Sequence, residues 1–195
     1  MPTRRCSGAM CMAGLLINAA SNADVVITSG GVSVGEADHT KAVMASLGDV
    51  LFWRIAMRPG RPMAIGRIRA GGGSSEHAAI LFGLPGNPVA VMVTFYALVR
   101  DALLAMGGAT AEPLPMLRAT SVEGIRKKPG RTEYQRAVVS REGSRGDWQV
   151  RITGAQGSGI LRSMSEANGL VVLHHEQGNV EPGEAVDVLP FDGLV

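Results

Sequence analysis

Three short segments hold most of the residues able to do chemistry. The first is Gly30-Gly31-Val32-Ser33-Val34-Gly35, followed by Glu36 and Asp38. Adjacent glycines let a backbone approach an anion, amides near a helix start can donate to it, and Ser33 adds a hydroxyl donor. Glu36 and Asp38 are hard oxygen donors of the kind Mg²⁺ takes together with phosphate oxygens. Asp38 equally suits a helix N-cap, and the two roles are compatible. The second segment is the turn Arg58-Pro59-Gly60-Arg61-Pro62, preceded by Arg54. Guanidinium forks match tetrahedral oxyanions, and two prolines lower the cost of ordering the turn around a ligand. A solvated surface hairpin would carry the same residues. The third is Gly83-Leu84-Pro85-Gly86-Asn87-Pro88. Here Asn87 is a good N-cap and Pro88 a good first helical residue, while Pro85 and Gly86 shape a turn. Each segment alone is a weak motif.

The elements around them follow from hydrophobic patterning. Asp24–Thr28 predicts a strand buried on both faces, with the first glycine loop at its end. A helix runs from a cap at Asp38 to about Leu47, with Gly48 as its stop. Strands are expected at Val50–Ala56, Met63–Ile68 and Ala79–Phe82. A helix from Pro88 to about Met106 is apolar on nearly all sides between Val89 and Val99. The alternation predicts an α/β domain with a largely parallel sheet, spanning 1–112. Both glycine loops then sit beyond the carboxyl ends of strands, where such sheets bind ligands. From 113 to 195 the pattern changes to a small β-rich domain. Its strands are expected at Glu133–Ser140, Trp148–Thr153, Leu170–His174 and Ala185–Leu189.

Composition narrows the partners. A chain with 46% hydrophobic and 18% charged residues buries a core. With 4% aromatics it lacks the stacking platforms of a single-strand nucleic-acid binder. The net charge of +2 is unremarkable. However, Val50–Ser75 carries Arg54, Arg58, Arg61, Arg67 and Arg69 with no acidic residue, either a solvated basic face or an anion site. Cys6 and Cys11 match no metal or redox spacing, which fits a reduced, cytoplasmic protein. His39, His77, His174 and His175 are dispersed. His174-His175 reads as a solvated strand end, and Lys127-Lys128 as a solvated turn. Arg4-Arg5 and the apolar stretch Ala9–Ile17 have some look of a signal peptide, but Gly14 interrupts it and a strand follows, which favours a short packing helix. No segment is expected to approach bilayer length, so neither a membrane nor a nucleic acid is expected as a partner.

In their order and spacing, residues 23–38, Phe52-Trp53-Arg54, the Arg-Pro-Gly-Arg-Pro turn and the Gly-Leu-Pro-Gly-Asn-Pro loop are similar to MoeA and the matching domain of gephyrin. Arg131-Thr132-Glu133-Tyr134-Gln135-Arg136, Gly157–Leu161 and Ala167–Leu170 resemble that family's last β domain. The resemblance covers about residues 14–192. It implies a three-layer molybdopterin-binding (MogA-like) domain, incomplete at its amino end, followed by the family's C-terminal β domain. It also implies an activity: insertion of molybdate into adenylylated molybdopterin with Mg²⁺ and release of AMP, late in molybdenum-cofactor biosynthesis. By position, Asp38 matches an acidic residue important for that activity, with Glu36 beside it for the metal. Arg54 and Arg58 fall where many members have lysine, and Arg61 matches another basic residue of the turn. Pro85 and Pro88 line the same pocket, and Gly30, Gly31, Ser33, Gly86 and Asn87 are assigned to substrate. Lysine to arginine keeps charge but changes donor geometry. Family members are roughly twice as long and carry a Thr-Gly-Asp-Glu-type loop that is not found here. They act as homodimers whose active site lies between this domain and the amino-terminal part of the partner subunit.

Overall fold

The computed structural model describes residues 8–32, 37–69, 77–110, 112–141, 143, 146–154, 156–157 and 162–192. The chain forms two compact units, Met1–Ile55 with Gly60–Asn87, and Ala56–Pro59 with Pro88–Val195.

The first unit holds α1 (Gly8–Asn22), β1 (Val25–Ser29), α2 (Ala37–Leu47), β2 (Gly48–Arg54), β4 (Pro62–Arg69) and β5 (Ala78–Leu84); β3 (Met57–Arg58) belongs to the second. Its sheet has the order β1-β5-β4-β2. β1 and β5 run parallel, but β5–β4 and β4–β2 are antiparallel. The expectation of a largely parallel sheet is therefore corrected among the described residues. The reason is connection length: the few residues between β2 and β4 allow a hairpin and cannot make a crossover.

Helices α1 and α2 lie on one face of this sheet. Leu16 and Ala20 of α1 and Met44 of α2 pack on Val26, Ala64, Ile68, Ala79 and Leu81. The apolar stretch near the start is thus a packing helix, as patterning favoured. On the other face, Leu51, Ile65, Phe82 and Ile27 form one cross-strand row. Phe82 is buried, whereas Leu51 is 61% and Ile27 44% exposed. β1 is therefore buried on one face and not on both.

The second unit opens with α3 (Pro88–Thr94), a π-helical turn (Phe95–Val99) and α4 (Arg100–Met106). Together they make one helix of 19 residues with mean hydropathy 1.8. By length and composition it could cross a membrane, which corrects the expectation that no segment approaches that length. The expected helix has these same bounds, and its two charged residues, Arg100 and Asp101, pair with each other at 2.8 Å. A core helix of a soluble protein passes the same test.

The strands β6 (Leu117–Ser121), β7 (Thr132–Arg141), β8 (Trp148–Ile152), β9 (Gly169–Leu173) and β10 (Ala185–Pro190) follow, with a short α5 (Arg162–Ser165). The pairings β7–β8, β8–β6, β6–β10, β10–β9 and β9–β7 close a ring. The result is a small barrel filled by Ala137, Val150, Val171, Leu173, Val186 and Val188, a closure that leaves its strands no free edge. Strand β6 was not expected, because Leu117-Arg118-Ala119-Thr120-Ser121 has only one large apolar residue to mark an alternation.

Lys127 corrects another expectation. It is buried at 5% exposure, and its ammonium donates to the carbonyls of Gln177 at 2.7 Å and of Lys128 and His175 at 3.3 Å. Its neighbour Lys128 is exposed. His174 and His175 are exposed, as expected, and His174 Nε2 lies 2.6 Å from Asp187 Oδ2. The hydrogen bonds from His174 and then Arg118 hold the Asp187 carboxyl below its ordinary value. A carboxylate whose folded pKa is depressed stabilises above its unfolded pKa, about 3.9, and loses that contribution as pH falls through the folded value. Asp187→Asn should therefore lower stability by up to about 1 kcal/mol at pH 5, the scale of part-exposed pairs. The gap to the unsubstituted chain should close on acidification towards pH 2, as followed by urea midpoints.

Candidate functional site

β1 and β5 are parallel neighbours, so their carboxyl ends and the loops that follow lie at one edge of the sheet. The two loops touch back to back. Gly30 N donates to Leu84 O at 3.0 Å, and Ser29 Oγ donates to Pro85 O at 3.4 Å. A Cβ added to Gly86 would stand 3.4 Å from Gly30 Cα, in van der Waals contact with the facing loop. Gly30 and Gly31 both have positive φ, at 94° and 75°. Gly31 has a second requirement, since its Cβ would fall 2.4 Å from Thr40 Cγ2 of α2.

Two helices follow these loops in the sequence. α2 starts at Ala37, one residue earlier than expected, so Asp38 stands in the first helical turn and not at the cap. Ser33 and Glu36 lie outside the described residues, as does the side chain of Asp38. The other helix starts at Pro88, with Asn87 just before it. A cavity of about 300 Å³ opens beside the first loop, lined in part by Thr28, Ser29, Gly30, Gly31, Thr40 and Met44. Thr28 Oγ1 is buried there with no hydrogen-bond partner among the described residues. Buried hydroxyls are seldom left so, and a ligand group is one way to satisfy it. Among the described residues, no group of three His, Cys, Asp or Glu could hold a metal.

The arginine run divides. Arg67 and Arg69 sit at the far end of β4, roughly 16 Å and 23 Å along the strand from Pro62 at about 3.3 Å per residue. Arg54 ends β2 opposite Pro62, and Ile55 N donates to Arg61 O at 2.8 Å to close the hairpin. Arg54 and Arg61 are exposed. The Arg58–Pro59 peptide is cis.

Arg58 belongs to β3, which pairs parallel with β7 and sets Arg58 opposite Glu133. Arg58 Nη1 lies 3.9 Å from Glu133 Oε2, and Arg131 Nε donates to Glu133 Oε1 at 2.7 Å. Glu133 itself is 3% exposed. Motif reading missed Glu133 and Arg131 as partners of the arginine turn. The available signal was alternation: residues 131, 133 and 135 share one side of a strand.

Comparison with known proteins assigns both parts of the chain to a family. Residues 11–105 match the family described as "Probable molybdopterin binding domain", and residues 118–191 match "MoeA C-terminal region (domain IV)". The chain is 41% identical over 180 residues to molybdopterin molybdenumtransferase of Haemophilus influenzae, covering 92% of this chain and 42% of the relative. It is 31% identical over 188 residues to gephyrin of Dictyostelium discoideum, covering 89% of this chain and 26% of that protein. The crystal structure of the molybdopterin biosynthesis MoeA protein from Pyrococcus horikosii superposes with a TM-score of 0.68 at 28% identity, over 93% of this chain and 41% of that one. The chain thus spans well under half the length of these relatives. It belongs to the MoeA and gephyrin family, of which it carries the molybdopterin-binding domain and the C-terminal β domain.

Proposed function

We propose that this chain supplies one wall of a molybdopterin molybdenumtransferase active site, where molybdate is inserted into adenylylated molybdopterin and AMP is released. The observation that carries the reading is the back-to-back contact of the two glycine loops at the carboxyl ends of parallel β1 and β5, each followed by a helix start. The amides of Gly30 and Gly31 and the hydroxyl of Ser33 donate to the pterin's phosphate. Pro85, Gly86, Asn87 and Pro88 are the second loop's contribution to substrate binding. Arg54, Arg58 and Arg61 hold molybdate as a dianion, with substrate entering the domain that spans 1–112 under the resemblance. The carboxylates of Glu36 and Asp38 would hold Mg²⁺, a cation that takes hard oxygen donors. When bound, the ion neutralises charge on the adenylyl phosphate. The setting is the cytoplasm, and a homodimer supplies the other wall.

The test is titration of the chain with adenylylated molybdopterin and Mg²⁺, with AMP release followed after molybdate is added. Asp38→Ala should leave far-UV circular dichroism and Tm nearly unchanged, because a first-turn acid contributes under about 1 kcal/mol to a helix. It should cut pterin binding or AMP release roughly 100-fold, a loss of several kcal/mol of charge stabilisation. Unaltered binding and release would remove Asp38 from the site. Binding by the unsubstituted chain without release would make this chain a pterin-holding module whose chemistry needs the rest of the site.

A further inference from the structure

We propose that Glu133 is a positioning residue for Arg58, and that through it the β barrel sets the geometry with which Arg58 binds an anion. The inference rests on the reading of Arg58 as a molybdate ligand.

Register brings the two together. In the parallel pair β3–β7, Met57 faces Thr132 and Arg58 faces Glu133, and Thr132 N donates to Ala56 O at 2.9 Å. The backbone of the segment carrying Arg58 is therefore fixed on β7. The side chain is another matter. At 54% exposure the guanidinium of Arg58 has few neighbours to restrict it, and a long side chain loses much rotamer freedom when a ligand orders it. Glu133 supplies the restriction. Its side chain is 3% exposed and cannot swing out to solvent.

Both carboxylate oxygens are already directed. Oε1 accepts from Arg131 Nε at 2.7 Å, and Oε2 accepts from Gln135 Nε2 at 3.2 Å. Arg58 Nη1, at 3.9 Å from Oε2, is beyond hydrogen-bond range. The carboxylate therefore attracts the guanidinium without consuming its N–H donors, which stay available to an oxyanion. One negative charge also serves two guanidiniums, so the cluster keeps a net positive charge suited to a dianion. The charge gained by removing Glu133 would fall on half-exposed groups and be screened, so lost positioning dominates over added attraction.

The test uses sodium molybdate as the probe, titrated calorimetrically into the chain at low ionic strength, with Tm recorded for each variant. Arg58→Ala should weaken molybdate binding roughly 10-fold or more, as loss of a charged donor does. Glu133→Gln should weaken it roughly 3- to 10-fold, yet have no further effect when Arg58 is already alanine, because coupled residues are not additive. Glu133→Asp keeps the charge but withdraws it by one methylene, and its affinity should fall between those of the unsubstituted chain and Glu133→Gln at unchanged Tm. If Glu133→Gln does not fold, Glu133→Asp decides, and undiminished affinity overturns the inference. An effect of Arg58→Ala with none from Glu133→Gln, or with strictly additive effects, overturns the positioning role alone. No effect of Arg58→Ala, or no molybdate binding by the unsubstituted chain, removes the ligand reading and this inference with it.

Discussion

Gly31→Ala is expected to destabilise the chain by about 3 kcal/mol and to abolish pterin binding, where Gly30→Ala costs only about 1 kcal/mol. Both residues have positive φ, which an L side chain adopts at a cost. They differ in what a methyl group would meet. At Gly30 the nearest atom is Gly86 Cα at 3.9 Å, an ordinary contact. At Gly31 the new carbon would lie 2.4 Å from Thr40 Cγ2 and 3.0 Å from Thr40 Cβ. Thr40 is β-branched and helical, so its χ1 is stiff and the strain passes to the backbone of α2. That helix carries Asp38 two residues earlier, so the strain reaches the residue proposed above as a magnesium ligand as well as the glycine loop. Urea midpoints would rank the two variants. Adding Thr40→Ser removes the offending methyl and should recover part of the Gly31→Ala loss. Equal losses at the two glycines, or no recovery, would mean that the contact with Thr40 does not matter.

Lys127→Met is expected to cost about 2–4 kcal/mol, although methionine matches the lysine stem in length and apolarity. The loss comes from the carbonyls. Lys128 O and Gln177 O lose the ammonium as donor, whereas His175 O keeps the amide of Gly130 at 2.9 Å. Lys127 also fastens the chain through its own amide, which donates to Asn179 Oδ1 at 2.9 Å. That bond survives the substitution, so the experiment isolates the side chain. Lys128→Met is the control and should change stability by less than about 0.5 kcal/mol, because Lys128 is exposed. Calorimetric unfolding of the two variants side by side separates them, and similar behaviour would show that the carbonyl cage is not what buries Lys127.

The contrast between these two lysines shows where sequence reading ended. Two adjacent lysines beside a proline look alike as letters, and the loop at 174–178 distinguishes them by turning the carbonyls of His175 and Gln177 towards one of the pair. The strands and helices themselves were largely legible, because Val, Ile and Leu repeat at the proper period and Gly, Pro and Asn punctuate them. Strand direction was not, since it depends on connection length and on which hairpins form. The glycine loops were legible as turns after strands, but their mutual contact follows from β1 and β5 being neighbours. Arg58 was legible as a cation. That it faces a buried glutamate 75 positions along the chain is a matter of register, which no local pattern encodes.

The closed ring of the barrel bears on synthesis. β10 is inserted between β6 and β9, with Val186 facing Ala119 and Val188 facing Val171. Until residue 190 has left the ribosome, β6 and β9 each present an unpaired edge. The nascent barrel stays an open sheet through most of its translation, exposed to misassembly with neighbouring chains, and closes in a late step when that strand arrives.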